Sequence, residues 1–514
     1  MTQFYQYKLN LFPEASRQDN IIGLENQRLN QAIGLFQQSP RFGFDLETFS
    51  RASTPAIAPE TGEIRLIQIA IEQPAVQVIV IDLGWTAKER SRIHQKLESL
   101  GFWTTLQERL ANPQVEVVGH SLDFEQRWML AKYNFPIRNL RDTKLMSQVY
   151  WAGLDPWLLK QQGKPHSLES VCLRLGISID KSRQTSDWGW GDLGNGQLSN
   201  NQFNYAANDA SITLKVHDLL EPRLKEIRVW TSYLIECAAS PAFAQMSHYG
   251  MPVDEGVLAD VTVAYEAAYQ SLVEQLGRTF SECLPHLYSP KKLVALINRR
   301  FRVTLKSANV DDLSKLWGIV LSDESAKNSI KAWRQTYKVL ASFQQSIVEK
   351  ANHELPSVLG INPIQSRSKF GLGYVRCLTG RGVFLPKWRQ NVEDGREQKI
   401  EGKRKKFNGL YSTLVSVKSP DANAAYWTMC EADIIKTFLA YCVAAFDAHP
   451  EWEAWVGNCC HDEADIFGKE EFGVEIASAV QMAMERAMGI VIQDIPVSED
   501  ECPERLLGNC WTDK

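Results

Sequence analysis

Between Arg41 and His120 the chain carries four short apolar segments, RFGFDLET, IRLIQIAI, VQVIVIDL and VEVVGH, the middle two rich in Ile and Val, each followed by polar, helix-like or turn sequence. Runs of this length and composition predict strands buried in a sheet. The first three are joined by short connections, which predicts antiparallel pairing. From Arg41 to about Leu219 strand and helix signals alternate, so the expected fold class is α/β, a mixed sheet flanked by helices.

Strand geometry then places chemistry. Side chains alternate along FGFDLET, so Asp45 and Glu47 share one face and Phe44 and Leu46 the other. Two carboxylates on one face repel unless a cation sits between them, and hard oxygen donors suit Mg2+ or Mn2+. Taken alone, Asp-x-Glu also fits a strand end reaching solvent. GHSLDFEQRWML follows the apolar VEVV and puts Asp123 in the first turn of a helix, where a carboxylate also serves the helix dipole. In NYAANDASITLKV, Tyr205 and Asp209 stand four apart on one helix face; a surface helix with a partly buried Tyr gives the same spacing. His120 and Arg127, near Asp123, could meet a phosphate, though a structural role is the simpler reading.

Together, in the order Asp-x-Glu, Asp, Tyr-x-x-x-Asp, these pieces resemble the tyrosine branch of the DEDD 3′–5′ exonuclease superfamily. RLIQIA (Arg65 to Ala70), RDTKLMSQV (Arg141 to Val149) and HSLESVCLRLGI (His166 to Ile177) extend the likeness. The resemblance implies a ribonuclease H-like fold and two Mg2+ or Mn2+ ions. Asp45, Glu47 and Asp209 would hold the first ion, with Asp45 also touching the second. Asp123 would act on the second through its water shell, and Tyr205 would orient the attacking water. Single-stranded or frayed DNA 3′ ends are the implied substrate, released as nucleoside 5′-monophosphates.

Downstream, the chain resembles family A DNA polymerase. ECAASPAFAQMSHYGMPVD, LYSPKKL, KAWRQTYKVLASF, GYVRCLTGRGVFLP, EADIIKTFLAY, CHDEADIF and LLGNCW carry that likeness. It implies a mostly helical thumb, a reduced α+β palm and a primer-template partner, with His461, Asp462 and Glu463 as a polymerase-like remnant. The run KKLVALINRRFRVTLK offers Lys291, Lys292, Arg299, Arg300, Arg302 and Lys306 to a phosphate backbone, without one carboxylate; a solvated helix face also accounts for it. The family's Asp-Tyr-Ser-Gln-Ile-Glu type motif and fingers helix have no counterpart, and Thr428-Met429 stand where a Gln-Gly pair is expected. Two-metal nucleotidyl transfer needs two carboxylates to hold its ions, and only Asp462 is visible, so polymerisation by this chain alone is not expected.

The length of 514 residues favours more than one core. The expected division is a leader over 1–40, an exonuclease domain over 41–220, a helical connector and thumb over 221–350, and a palm remnant over 351–514. Within the last, 351–425 reads as irregular, with a solvated charged loop from Glu393 to Lys406. Helices are expected over Ala432–Phe446 and Glu471–Met488, and a strand-turn-strand over Asn458–Phe467. The balance of 56 Lys and Arg against 61 Asp and Glu neither demands nor excludes nucleic acid. Ten cysteines without zinc spacing read as reduced thiols. No segment has signal-peptide or membrane-helix character, which predicts a cytoplasmic protein. Alternatives to an exonuclease fused to a DNA-holding polymerase remnant are a split polymerase, whose second subunit supplies the missing motif and fingers, a non-catalytic DNA-binding scaffold, and an RNA-directed exonuclease.

Overall fold

The computed structural model describes residues 5–8, 19–50, 58–72, 77–152, 164–179, 187–252, 372–391, 397–398, 411–417, 419–460 and 463–492, with isolated positions between 295 and 306. The chain divides into two compact units, Met1–Met251 with Ser346–Leu507 and Pro252–Gln345 with Gly508–Lys514. Nearly all described residues belong to the first.

That unit opens with β1 (Tyr5–Lys8), α1 (Asp19–Gln38), β2 (Arg41–Ser50), β3 (Gly62–Ile71) and β4 (Gln77–Asp82). It continues through α2 (Ala87–Ser99), α3 (Phe102–Ala111), β5 (Glu116–Gly119), α4 (Asp123–Tyr133), β6 (Leu140–Asp142), α5 (Thr143–Tyr150) and α6 (Leu168–Arg174) to α7 (Asn200–Glu226) and α8 (Trp230–Tyr249). The four strands expected between Arg41 and His120 all form. They lie in a six-stranded sheet of order β1-β4-β3-β2-β5-β6. β2, β3 and β4 pair antiparallel, while β5 joins β2 in parallel.

Period-2 alternation sorts the sheet's faces. Phe42, Phe44, Leu46, Ile67, Ile69 and Ile71 point into a core closed by α1, α2, α3 and α4. Leu66, Ala70, Val78, Val80 and Val118 point the other way, under α7. Each fully buried Ile or Leu here contributes about 1.5–3 kcal/mol. Between Glu47 and Thr48 the register slips past Arg65 on β3, so that Ile64 faces the first core and Leu66 the second. Arg65 is fully buried, paired with Asp82 at 2.7 Å, and donates to the carbonyls of Gly189 and Gly196.

Two sequence expectations need correction. Residues 1–40 are not a separate leader, because Leu29, Ala32, Ile33 and Phe36 of α1 fill the first core and β1 extends the sheet. The boundary at 220 falls inside α7, and Ile212, Val216, Leu220 and Leu224 pack in one cluster with Tyr233 and Cys237 of α8.

After the segment of the second unit come β7 (Leu372–Arg376), β8 (Gly382–Asn391), β9 (Glu397–Gln398), β10 (Tyr411–Val417), α9 (Ser419–Ala448), β11 (Trp455–Cys460), β12 (Glu463–Phe467) and α10 (Gly473–Val491). The span 351–425 is thus not irregular throughout. β8 pairs with β7 through Gly382–Pro386 and with β10 through Lys387–Asn391. Pro386 sits where β8 changes partner, the place in a strand where a missing N–H costs least. The expected hairpin forms as β11–β12, and both expected helices form, with α9 beginning well before Ala432. Phe438, Leu439, Cys442, Val443 and Phe446 of α9 make a core with Val456 of β11 and Ile476, Ala483 and Ala487 of α10. Among the described residues no cysteine forms a disulfide, and no helix is long and apolar enough to cross a membrane.

Candidate active site

Asp45 and Glu47 project from β2 on the face that α7 covers, and Asp209 comes down from α7. One ligand oxygen from each of the three lies within 4.8 Å of the others. The close approach of α7 has a local cause. A Cβ on Gly43, next on the same face of β2, would meet the Ala210 carbonyl oxygen at 2.3 Å, so only glycine lets the helix settle there. Ser199 and Gln202 start α7 with a reciprocal capping box, which fixes the turn just before Tyr205. Arg41, at the start of β2, ties Glu72, just past β3, at 2.6 Å and Asp218 of α7 at 2.7 Å.

Tyr205 is buried, its ring 6.1 Å from that of Trp188. Burial, then the charges of Asp209 and Glu47, push its phenol far above the usual range, and its hydroxyl is hydrogen-bonded to Asp209. It therefore keeps its proton.

Asp123 does not join the three. Its side chain is 56% exposed and 3.9 Å from Arg127 of the next turn. Arg127 turns back on α4, donating to the Asp123 carbonyl. Glu125, which the sequence reading passed over, is 4% exposed. Burial first, then the charge of Asp45, raise its carboxyl well above the usual range, and its Oε2 has no hydrogen-bond partner. The signal was present in the sequence. Residues 125, 128 and 129 share a helix face, and Trp128 and Met129 are core residues. His120 takes the structural role, its ring nitrogens bound to Thr143 Oγ1 and the His166 carbonyl, each at 2.9 Å.

Asp142, from the RDTKLMSQV segment, builds the turn that presents α4. It accepts from the backbone N–H of Ser121 at 3.0 Å and Leu122 at 2.8 Å while capping α5 through Lys144 at 2.8 Å.

Of the polymerase-like residues, Glu463 begins β12 and is exposed, while His461 and Asp462 lie outside the described residues. Of the basic run, Arg299 and Lys306 are exposed, and Lys291, Lys292, Arg300 and Arg302 lie outside the described residues. Around β7, α8 and α9 the buried charges are paired. Arg381 binds Asp433 and Glu236, and Lys436 binds Glu236 at 2.7 Å.

Residues 21–225 match the family described as 3′–5′ exonuclease. The chain is 26% identical over 297 residues to DNA polymerase I of Aquifex aeolicus, a stretch covering 54% of this chain and 43% of that protein. It thus spans less than half of that relative's length. Among solved structures, the Pol domain of Pol1 from M. smegmatis, in complex with DNA primer-template and dNTP, has a TM-score of 0.52 at 13% identity, over 90% of this chain and 95% of that one. NrnC of Brucella melitensis with bound Mg2+ has a TM-score of 0.31 at 19% identity, over 42% of this chain and 88% of that one. The chain carries a 3′–5′ exonuclease family domain of ribonuclease H-like fold, followed by a region with the fold of a polymerase domain, and is distantly similar to DNA polymerase I.

Proposed function

We propose that this chain is a metal-dependent 3′–5′ exonuclease acting on DNA 3′ ends and releasing nucleoside 5′-monophosphates, joined to a DNA-holding, degenerate polymerase region. One observation carries the reading: the convergence of Asp45, Glu47 and Asp209 within 4.8 Å. Three hard, anionic oxygen donors fit Mg2+ or Mn2+. When bound, a pair of such ions neutralises phosphodiester charge and makes water easier to ionise.

The chain's own residues supply placement. β2 fixes Asp45 and Glu47 side by side, and the α7 contact at Gly43 brings Asp209 to them. Tyr205 keeps its proton and donates it to Asp209, leaving its phenol oxygen to accept from, and so orient, the incoming water. We keep Asp123, exposed at the start of α4, as the fourth carboxylate, acting on the second ion through its water shell. DNA, as against RNA, is favoured by the polymerase-like fold of the remaining chain.

The test is incubation with end-labelled single strands of DNA and matched RNA, with Mg2+ and with EDTA. DNA is expected to shorten from its 3′ end faster than RNA, and EDTA to stop it. Faster RNA cleavage overturns the substrate, and no shortening of either overturns the activity. Primer extension by this chain alone is expected to fail. Extension restored by a second polypeptide that supplies the missing Asp strand and fingers would establish a split polymerase.

A further inference from the structure

Gln68 stands directly opposite Asp45 across the β2–β3 pair. Facing residues in antiparallel strands project to the same side, with Cβ atoms about 4.5–5.5 Å apart. That side of the sheet is otherwise apolar around Gln68. Leu66 and Ala70 flank it along β3, Val80 faces it from β4, and Ala206, Ala207 and Ala210 of α7 belong to the same cluster. The Gln68 side chain is 0% exposed, and neither Oε1 nor Nε2 has a hydrogen-bond partner. A buried, unsatisfied polar group costs about 1–3 kcal/mol. An aliphatic side chain, as at Leu66, would serve the packing without that cost. A polar group kept at this position therefore points to a partner that enters with the ligand.

We propose that Gln68 is a positioning residue of the carboxylate site, whose amide gains its hydrogen-bond partners when a divalent cation fills the site and then holds Asp45 in the orientation that grips the ion. This rests on the reading of Asp45, Glu47 and Asp209 as a cation site. The choice of amide follows from charge. A Lys at this place would compete with the cation, a Glu would add a further negative charge, and a Leu could offer Asp45 no hydrogen bond. Carboxylates that ligate metals are themselves hydrogen-bonded by such neighbours, and losing one weakens metal binding by roughly 10–100-fold.

The experiment is Mn2+ binding to the full chain by calorimetry, without nucleic acid, together with thermal unfolding in EDTA. Gln68→Met keeps the side chain's length and removes both polar atoms; Gln68→Leu repacks the site in case the first variant folds poorly. Both are expected to bind Mn2+ roughly 10–100-fold more weakly while unfolding in EDTA at the wild-type temperature or above it. Unchanged Mn2+ affinity in both variants overturns the proposal. So does a lower unfolding temperature in EDTA for both, which would mark the amide as part of the core. Wild-type chain that takes up no Mn2+, or Asp45→Asn chain that binds it as well as wild type, overturns the cation site itself and this inference with it.

Discussion

Around β2 and α7, Asp45, Glu47 and Asp209 are crowded together, whereas between β7, α8 and α9 the buried Asp433 and Glu236 are gripped by Arg381 and Lys436. The two regions give their neighbours opposite fields. In the first, burial and surrounding carboxylates raise Tyr205 and Glu125. In the second, burial works to raise Glu236, yet Arg381 and Lys436 hold it below the usual range. Concentrated like charge opposes folding, and a divalent cation, as proposed above, would relieve it. Paired charge ties three elements together and needs no ligand. A carboxylate in a fold of this kind is best judged by the sign of its surroundings.

The sharpest way to break this contrast is to neutralise one member of the crowded set. Asp45→Asn is expected to lower 3′ shortening on the order of 10³-fold, ~4 kcal/mol of barrier, with the unfolding temperature in EDTA unchanged or raised. A gel assay and a melting curve decide it. A variant that is fully active, or unfolded, removes the distinction between the two regions. In the paired region, Arg381→Met leaves the 0% exposed Asp433 without its cation. Denaturant titration is expected to show a loss of about 3–5 kcal/mol, with Mn2+ affinity unchanged in the remaining folded chain. Gly43→Ala sharpens the geometry. The new methyl must push α7 away from β2, at about 1–3 kcal/mol, and Mn2+ binding should weaken because Asp209 moves with the helix. Retained affinity would show that α7 position is not what assembles the site.

The smallest effect concerns His217 on α7, buried 3.6 Å from Asp218 and 3.7 Å from Glu221. Burial, its largest influence, holds its pKa below 6.5 in the folded chain. The unfolded chain then takes up the proton first, so stability is full above that value and falls as pH drops below it. His217→Leu is expected to flatten the loss between pH 7 and 5.5, by about 1 kcal/mol at most; an unchanged pH profile would assign the acid response elsewhere.

Much of the N-terminal architecture was legible because strand periodicity fixes faces. The alternation that set Asp45 beside Glu47 also set Ile67 and Ile69 against Leu66 and Ala70. Tyr205 and Asp209 followed from helical spacing. The burial of Glu125 went unread, although it shares a helix face with Trp128 and Met129, because Asp123, two residues away, carried the motif. β8 was hidden for a different reason. Pro386 argues against a strand locally, the charged stretch from Glu393 follows at once, and only the exchange of partners between β7 and β10 makes Pro386 harmless. Gln68 lay inside a quoted motif, yet its meaning depends on its register with Asp45, which no single strand reveals.

α8 packs against α4 and α5 on one side and α9 and β11 on the other. Ser240 reaches Gln126 at 3.2 Å, and Arg138, just beyond α4, pairs with Asp447 of α9. A segment cut at residue 225, the end of the family match, would lose α8 and strip Gln126 of Ser240 and Arg138 of Asp447. The smallest stable unit is therefore expected to run well past the stretch that homology marks out.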